Sequence, residues 1–456
     1  MTSGKTYLRY FLLLFFLFIS FPFVFYRPPA QGLDESWKIA LHLAAQYDLF
    51  FGEDFVFTYG PLGILYTRLP IAVPKSVYLL FDLFFLFNFL FLMNSLLKKE
   101  LKIGVCLFSF LSFIIVYGEA VELWYFFFYL FYLFSFLQNT AKVGHLWLAG
   151  LLAIICFYIK LSLGSVAIAI FLVVIAYLLL LKKIGPKRGA WIVFFFLGAL
   201  GTSAYFLNVN LRGYILHSLQ IISAYNDSMF QRSDSVYNPF LYAALVLGLC
   251  YGLLVVIRFV QLFYRKEISA CANEFLIYSI IGLFLFVLFK SGFVRNDSLH
   301  CHYFFRGIIF PVALLYLFSP GDLQKKIIAA YSWIAISISF WAINTLPDNN
   351  QPYRQIVSLD IFQGKFEALR NYIKDVKEYP HDEIKPEFKN ATLKEIIGHK
   401  SIDVVPVEIS QLYFNGLRYN PRPVIQSYSA YNGYLDSLNN RKYLSETAPD
   451  YILFSL

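Results

Sequence analysis

The sequence predicts an all-α polytopic membrane protein with about eleven transmembrane helices, carrying a small C-terminal extracytoplasmic α/β domain. Three observations lead there: the composition, the recurrence of long apolar runs, and the placement of lysine and arginine. Of the 456 residues, 59% are hydrophobic and 15% charged, with 51 Phe and 34 Tyr, so the chain carries more apolar surface than a soluble core needs. Runs of about 18 or more apolar residues, each long enough to cross a hydrocarbon layer as a helix, recur from Tyr7 to Ile343. No ten-residue alternation suggests a β-barrel.

The runs place spans at 8–26, 77–97, 103–118, 123–138, 145–159, 165–181, 190–208, 238–260, 274–290, 304–319 and 327–343. Lys98, Lys99 and Lys102, then Lys182, Lys183, Lys187 and Arg188, then Arg265 and Lys266, then Lys325 and Lys326 fall in alternate short loops. The positive-inside rule makes those loops cytoplasmic, so the N-terminus with Lys5 and Arg9 is expected inside and the C-terminus outside. Arg27-Pro28-Pro29 follows the first span where a cleaved signal would have small residues, which favours an uncleaved anchor. The formal charge of +9 fits topology and anionic headgroups, and nothing calls for nucleic acid.

The division expected is a transmembrane domain over 1–343, with a first outer loop at 27–76, and an extracytoplasmic domain over 344–456. In the latter, Lys365 to Lys377 is helix-like, and Ile402 to Val407 and Tyr451 to Leu456 are strand-like. The final apolar run leaves a strand with nothing after it, which raises the expectation of a truncated version of a longer domain. Cys106, Cys156, Cys250, Cys271 and Cys301 show neither metal-site spacing nor disulfide logic.

Chemistry is expected in the outer loops. The first reads Asp34-Glu35-Ser36-Trp37, then a helix-like stretch to Asp48, then Gly52-Glu53-Asp54 and Phe57-Thr58-Tyr59-Gly60-Pro61-Leu62-Gly63. Trp37, Ala40, Leu41, Ala44 and Tyr47 repeat at helical spacing, which predicts a juxtamembrane helix lying apolar side down on the membrane. Asp34 would start it, where orphan N–H groups favour an ionised carboxylate suited to act as a base. Asp34 as a helix cap only, and Asp54 as a turn residue only, remain the alternatives.

These residues resemble the first outer loop of the GT-C glycosyltransferases. An acidic pair just after the first span, a juxtamembrane helix, a Gly-containing turn and a Pro-Leu about 27 residues on are the layout of protein O-mannosyltransferases and lipid A aminoarabinose transferases. Where those enzymes carry Asp-Glu, Tyr-Ala and Pro-Pro or Lys-Pro, this chain has Asp34-Glu35, Trp37, Ala40 and Gly60-Pro61-Leu62. The likeness spans roughly the first 130 residues and the helix count. It is nearer still to an uncharacterised bacterial branch with Phe-Thr-Tyr-Gly-Pro-Leu-Gly here and Phe-Val-Arg-x-Asp-x-x-His later. That branch usually carries His where this chain has Asn296, which puts a role for that position in doubt.

The resemblance implies an inverting glycosyl transfer in a bacterial inner membrane, from a polyprenyl-phosphate-linked sugar to a lipid, glycan or protein acceptor. It makes Asp34 the base, with Asp54 or Glu35 as substitutes. Relatives differ in needing a divalent cation. Glu119 and Glu122, in a short outer turn, form a second acidic cluster that shares one face if the turn is helical, or else marks the water boundary. Asp82, inside the second span, calls for a functional or paired role.

Cations for the departing phosphate are Lys160, at the turn between two short spans, and Lys290, Arg295 and Arg306, which frame the loop holding His300-Cys301-His302. Arg295 is the first choice for its planar fork, with a salt bridge to Asp297 as the alternative. His300 is expected to bond phosphate or Asp297. On a strand His300 and His302 would share one face, yet no acid at ligand spacing completes a metal site. The loop Asn210 to Asp234 and the segment Pro421 to Tyr431 are expected over the active face, the latter as sugar contacts or as a turn entering a strand. A lipid-linked-sugar flippase or a non-catalytic envelope assembly factor are the other classes. The flippase lacks the internal repeat such transporters tend to show.

Overall fold

A computed structural model describes residues 2–99, 121–230, 235–264, 268–318, 322–347, 360–379 and 389–454. The expected span 103–118 lies outside them. Eight helices among the described residues are long and apolar enough to cross a membrane: Lys75–Lys98, Val121–Gln138, Leu161–Leu180, Pro186–Phe206, Asn238–Tyr264, Ala272–Phe293, Ser298–Phe318 and Lys325–Thr345. Thr6–Ile19 and Val143–Ile159 are shorter apolar helices at the positions of two further expected spans. The chain is therefore a helical membrane protein.

In chain order the helices are α1 (Thr2–Ser20), α2 (Leu33–Gln46), α3 (Ile64–Thr67), α4 (Lys75–Lys99), α5 (Val121–Gln138), α6 (Val143–Ile159), α7 (Leu161–Leu180), α8 (Pro186–Phe206) and α9 (Leu211–Met229). They continue with α10 (Asn238–Tyr264), α11 (Ile268–Phe293), α12 (Ser298–Gly307), α13 (Ile309–Phe318), α14 (Asp322–Thr345) and α15 (Asp360–Lys377). The remainder runs α16 (Ala391–Ile397), β1 (Ser401–Val405), α17 (Ile409–Phe414), β2 (Arg418–Tyr419), α18 (Gly433–Tyr443) and β3 (Tyr451–Phe454).

Two compact units result. The first comprises Met1–Phe23, Leu83–Leu152 and Met229–Arg370. Its centre is α5, in which every residue from Glu122 to Leu137 is buried; a helix apolar all round belongs in an interior. Trp124 meets Phe310 edge-on at 4.9 Å, fixing α5 on α13. One buried ion pair lies here: Arg258 on α10 donates to both carboxylate oxygens of Glu274 on α11, at 2.7 and 2.8 Å. Lys365 on α15 is buried and donates to the Phe21 carbonyl at 2.7 Å, just past the end of α1. That cation satisfies a carbonyl at a helix C-terminal end, and burial pushes its pKa down to about 8.

The second unit comprises Val24–Asp82, Ala153–Ser228 and Asn371–Leu456, so the first loop and the C-terminal strands belong to one body. The strands form a parallel sheet in the order β2-β1-β3, with Ile402 opposite both Tyr419 and Tyr451 and Val405 opposite Phe454. Asp403 on β1 is fully buried and is held by Arg422 at 2.9 Å and by the Tyr443 hydroxyl at 2.7 Å. Arg422 also donates to the carbonyls of Val404, Pro406 and Ile425. The Pro421 to Tyr431 segment is thus a turn closed around a buried guanidinium. It does not enter a strand: its backbone turns into the short 3₁₀ segment Ser427–Ser429. Val424 from this turn packs with Val56, Ile221, Leu435 and Leu438, and Val56 donates to the Pro423 carbonyl at 2.8 Å.

Candidate functional site

The site that the second unit assembles is built on α2. Gly32, at φ 124°, turns the chain into the helix and serves as its N-cap, a role open to glycine because it has no Cβ. Asp34 and Glu35 therefore lie in the first turn, where the helix dipole favours negative charge. The cap is Gly32 and not Asp34, so the carboxylate is not consumed on the backbone. Asp34 is exposed and accepts one hydrogen bond, from Trp37 Nε1 at 3.2 Å. Glu35 instead pairs with Lys38 at 2.6 Å.

The apolar face of α2 does not meet lipid. Residues Ser36, Trp37 and Ile39 to Ala44 are buried, and the helix packs on α17, where Ser36 Oγ bonds Ser410 Oγ at 3.1 Å. A helix with its apolar side already covered by protein has none left for a membrane surface, which corrects the flat-lying expectation. His42 is enclosed there between Thr67 Oγ1 at 2.8 Å and the Ile71 carbonyl at 2.9 Å. Burial pushes its pKa down to about 4 against the help of that carbonyl, so the ring is neutral.

Past α2 the chain folds back on itself. Asp54 accepts the Phe50 N–H at 3.1 Å and so closes the turn around Gly52, and Glu53 accepts from Asn210 at 3.0 Å. Thr58 to Gly60 then pair with 159–161: Gly60 N donates to Ile159 O at 3.0 Å and Leu161 N to Thr58 O at 3.2 Å. Gly60 is required by space, since a Cβ there would lie 2.4 Å from the Tyr214 hydroxyl and 2.5 Å from the Tyr158 carbonyl. The pairing seats Lys160, the residue joining α6 to α7, against Tyr59, with Nζ 4.8 Å from the ring centroid and 3.3 Å from the hydroxyl.

Tyr59 completes an aromatic layer that the sequence did not reveal. Trp37, Tyr59 and Tyr66 lie nearly parallel, with centroids 5.1, 5.5 and 6.3 Å apart and interplanar angles of 14, 20 and 8°. An exposed carboxylate, Asp34, is bonded to one ring of this layer, and a cation, Lys160, covers another. Chemically this is a carboxylate and a cation fixed to one aromatic layer. Asp82 is likewise paired: Arg68 forks onto both its oxygens, and the Tyr372 hydroxyl donates to it at 2.7 Å.

The remaining predicted residues lie in the first unit. Asp297 caps α12, accepting the His300 N–H at 3.0 Å, its Nδ1 at 2.7 Å, and Arg295 Nε at 2.8 Å. Partial burial opposes ionisation of Asp297, but His300 and Arg295 outweigh it and hold the carboxyl below its ordinary value. Arg295 forms the salt bridge to Asp297 that stood as the alternative to phosphate binding, yet keeps 44% of its side chain exposed. His300 and His302 stand in the first turns of a helix and not on a strand, about 200° apart around it, so they do not share a face. Among the described residues no group of three or more His, Cys, Asp or Glu is placed to hold a metal ion. Glu122 is buried near the start of α5 and Arg306 sits in the last turn of α12; Glu119 lies outside the described residues.

Fold and site together define an integral membrane protein of helical architecture. In comparison with known proteins, the chain matches no family model, no curated protein and no solved structure.

Proposed function

We propose that the protein is a GT-C-type glycosyltransferase that moves a sugar from a polyprenyl-phosphate donor to an extracytoplasmic acceptor with inversion. Asp34 takes the proton of the acceptor hydroxyl, whose oxygen attacks the anomeric carbon as the bond to the lipid phosphate breaks. The carboxylate ends protonated and polyprenyl phosphate leaves as an anion, neutralised by Lys160. What carries the reading is the placement of Asp34: an exposed carboxylate at the positive end of α2, bonded to the Trp37, Tyr59 and Tyr66 layer that ends on Lys160. Glu35 and Asp54 have local partners in Lys38 and the Phe50 N–H, which argues for Asp34 over either.

In this reading the chain crosses a bacterial inner membrane about eleven times, with its N-terminus in the cytoplasm and residues beyond Asn344 outside. The sheet and the first loop then cover the outer face, where the acceptor arrives. The test is to reconstitute the protein with the polyprenyl-phosphate-sugar fraction of the host membrane and follow free polyprenyl phosphate by mass spectrometry. One lipid-linked sugar should be consumed as free lipid phosphate appears; an unchanged fraction in the presence of crude acceptor extract overturns the proposal.

A further inference from the structure

Helix α9 was expected as a loop, and its two faces are bound to different surroundings. One face is seated on the first loop. Gly213 and Gly52 meet backbone to backbone, since a Cβ on Gly213 would lie 2.0 Å from the Gly52 carbonyl and one on Gly52 2.2 Å from the Tyr214 nitrogen. Tyr214 donates to the Phe157 carbonyl at 3.1 Å, Ser218 donates to the Phe57 carbonyl at 3.4 Å, and Ile221 enters the core with Val56 and Val424.

The opposite face is bare, and three apolar side chains lie on it between Arg212 and Ser223. Ile215, Leu216 and Leu219 are 39, 47 and 47% exposed and fall within two turns on one side. A helix facing water would carry polar groups across the whole of that face, whereas here Arg212 and Ser223 flank a run of three exposed apolar side chains. The patch follows directly in the chain on α8, a helix long and apolar enough to cross a membrane, which buries only Gly189, Ile192, Phe196 and Ala204 and so leaves the rest of its apolar surface uncovered by protein. At the end of α8, Tyr205 and Phe206 are 80 and 78% exposed, and the ends of membrane-crossing helices are where aromatic rings are enriched. Only the short turn Leu207 to Asn210 separates them from α9, and the first loop pins that turn: Phe51 N donates to Asn208 O at 2.9 Å and Asn210 N to Phe51 O at 3.0 Å.

We infer that α9 is an interfacial helix whose Ile215, Leu216 and Leu219 face lies in the acyl and headgroup boundary of the bilayer that α8 crosses, holding the first loop at that level through its other face. The occupant is lipid because the patch follows directly on a membrane-length helix whose apolar surface protein leaves uncovered, and its basic residue, Arg212, is exposed at the same edge. The inference does not depend on the transferase reading.

The test uses the full chain in lipid nanodiscs with a nitroxide placed at Leu216→Cys or Leu219→Cys, and measures collision with oxygen and with a water-soluble nickel chelate. Leu197→Cys on α8 gives the lipid reference and Asn440→Cys on α18 the water reference. High oxygen and severalfold lower chelate accessibility than at position 440 are expected. Chelate accessibility equal to that at 440 overturns the inference in favour of water, and low accessibility to both reagents overturns it in favour of a covering protein. Should the labelled chains fail to fold, Leu219→Trp in the native chain is read by brominated lipid: a loss of the added fluorescence is expected, and full retention contradicts lipid contact.

Discussion

His42 shows how much of the first loop rests on single buried groups. Its ring is neutral in the fold, with a pKa of about 4 against an ordinary value of 6.5. The unfolded ring takes up a proton as pH falls below 6.5 while the folded ring does not, so the unfolded state binds more protons and stability falls across that window. The loss levels off below about 4 and amounts to on the order of 3 kcal/mol. Thermal midpoints in detergent should therefore drop with pH in the native protein and drop less in His42→Asn. Asp403 makes a second case. Arg422→Met leaves its carboxylate buried with one partner gone and should cost about 3–5 kcal/mol, whereas changing both residues to apolar ones should cost less. The same logic separates the two readings of Arg295. If Arg295 acts on the leaving phosphate, the Arg295→Ala, Asp297→Ala pair should be as inactive as Arg295→Ala alone. If it only pairs with Asp297, the double change should restore transfer.

Among the elements, the pairing of Thr58 to Gly60 with 159–161 positions the candidate site, and the glycines of the first loop are its weak points. Gly60→Ala forces a methyl against the Tyr158 carbonyl and the Tyr214 hydroxyl and should destabilise by roughly 1–3 kcal/mol. Gly52→Ala should cost at least as much, because its φ of 86° adds backbone strain to the clash with Tyr214. Both are read as lowered thermal midpoints. Eight of the expected spans were legible in the sequence because an apolar run needs no partner to be recognised. Asp34 and Lys160 were legible as charges at loop positions. What joins them was not: Trp37, Tyr59 and Tyr66 meet only once the loop has folded back on α2, and no local spacing encodes that. Arg68 was missed as the partner of Asp82 for the same reason. Helix α9 was hidden because its apolar face, which would mark a core helix in water, is too short to register as a span.

For the molecule as a whole, the arrangement depends on which side of the membrane each loop occupies. Lys187→Cys, in the first turn of α8, should react with membrane-impermeant maleimide only from the cytoplasmic side, and labelling from outside would move the acidic loop to the wrong face. The claim that unites loop, aromatic layer and membrane is that Asp34 is the base, and one comparison addresses it directly. Asp34→Asn changes an exposed atom and retains an acceptor for Trp37, so the protein should insert and melt as the native form does. Release of free polyprenyl phosphate from the lipid-linked-sugar fraction should nevertheless fall by roughly 10²–10⁴. Release within a fewfold of the native rate, from a chain that is equally stable, would contradict the account.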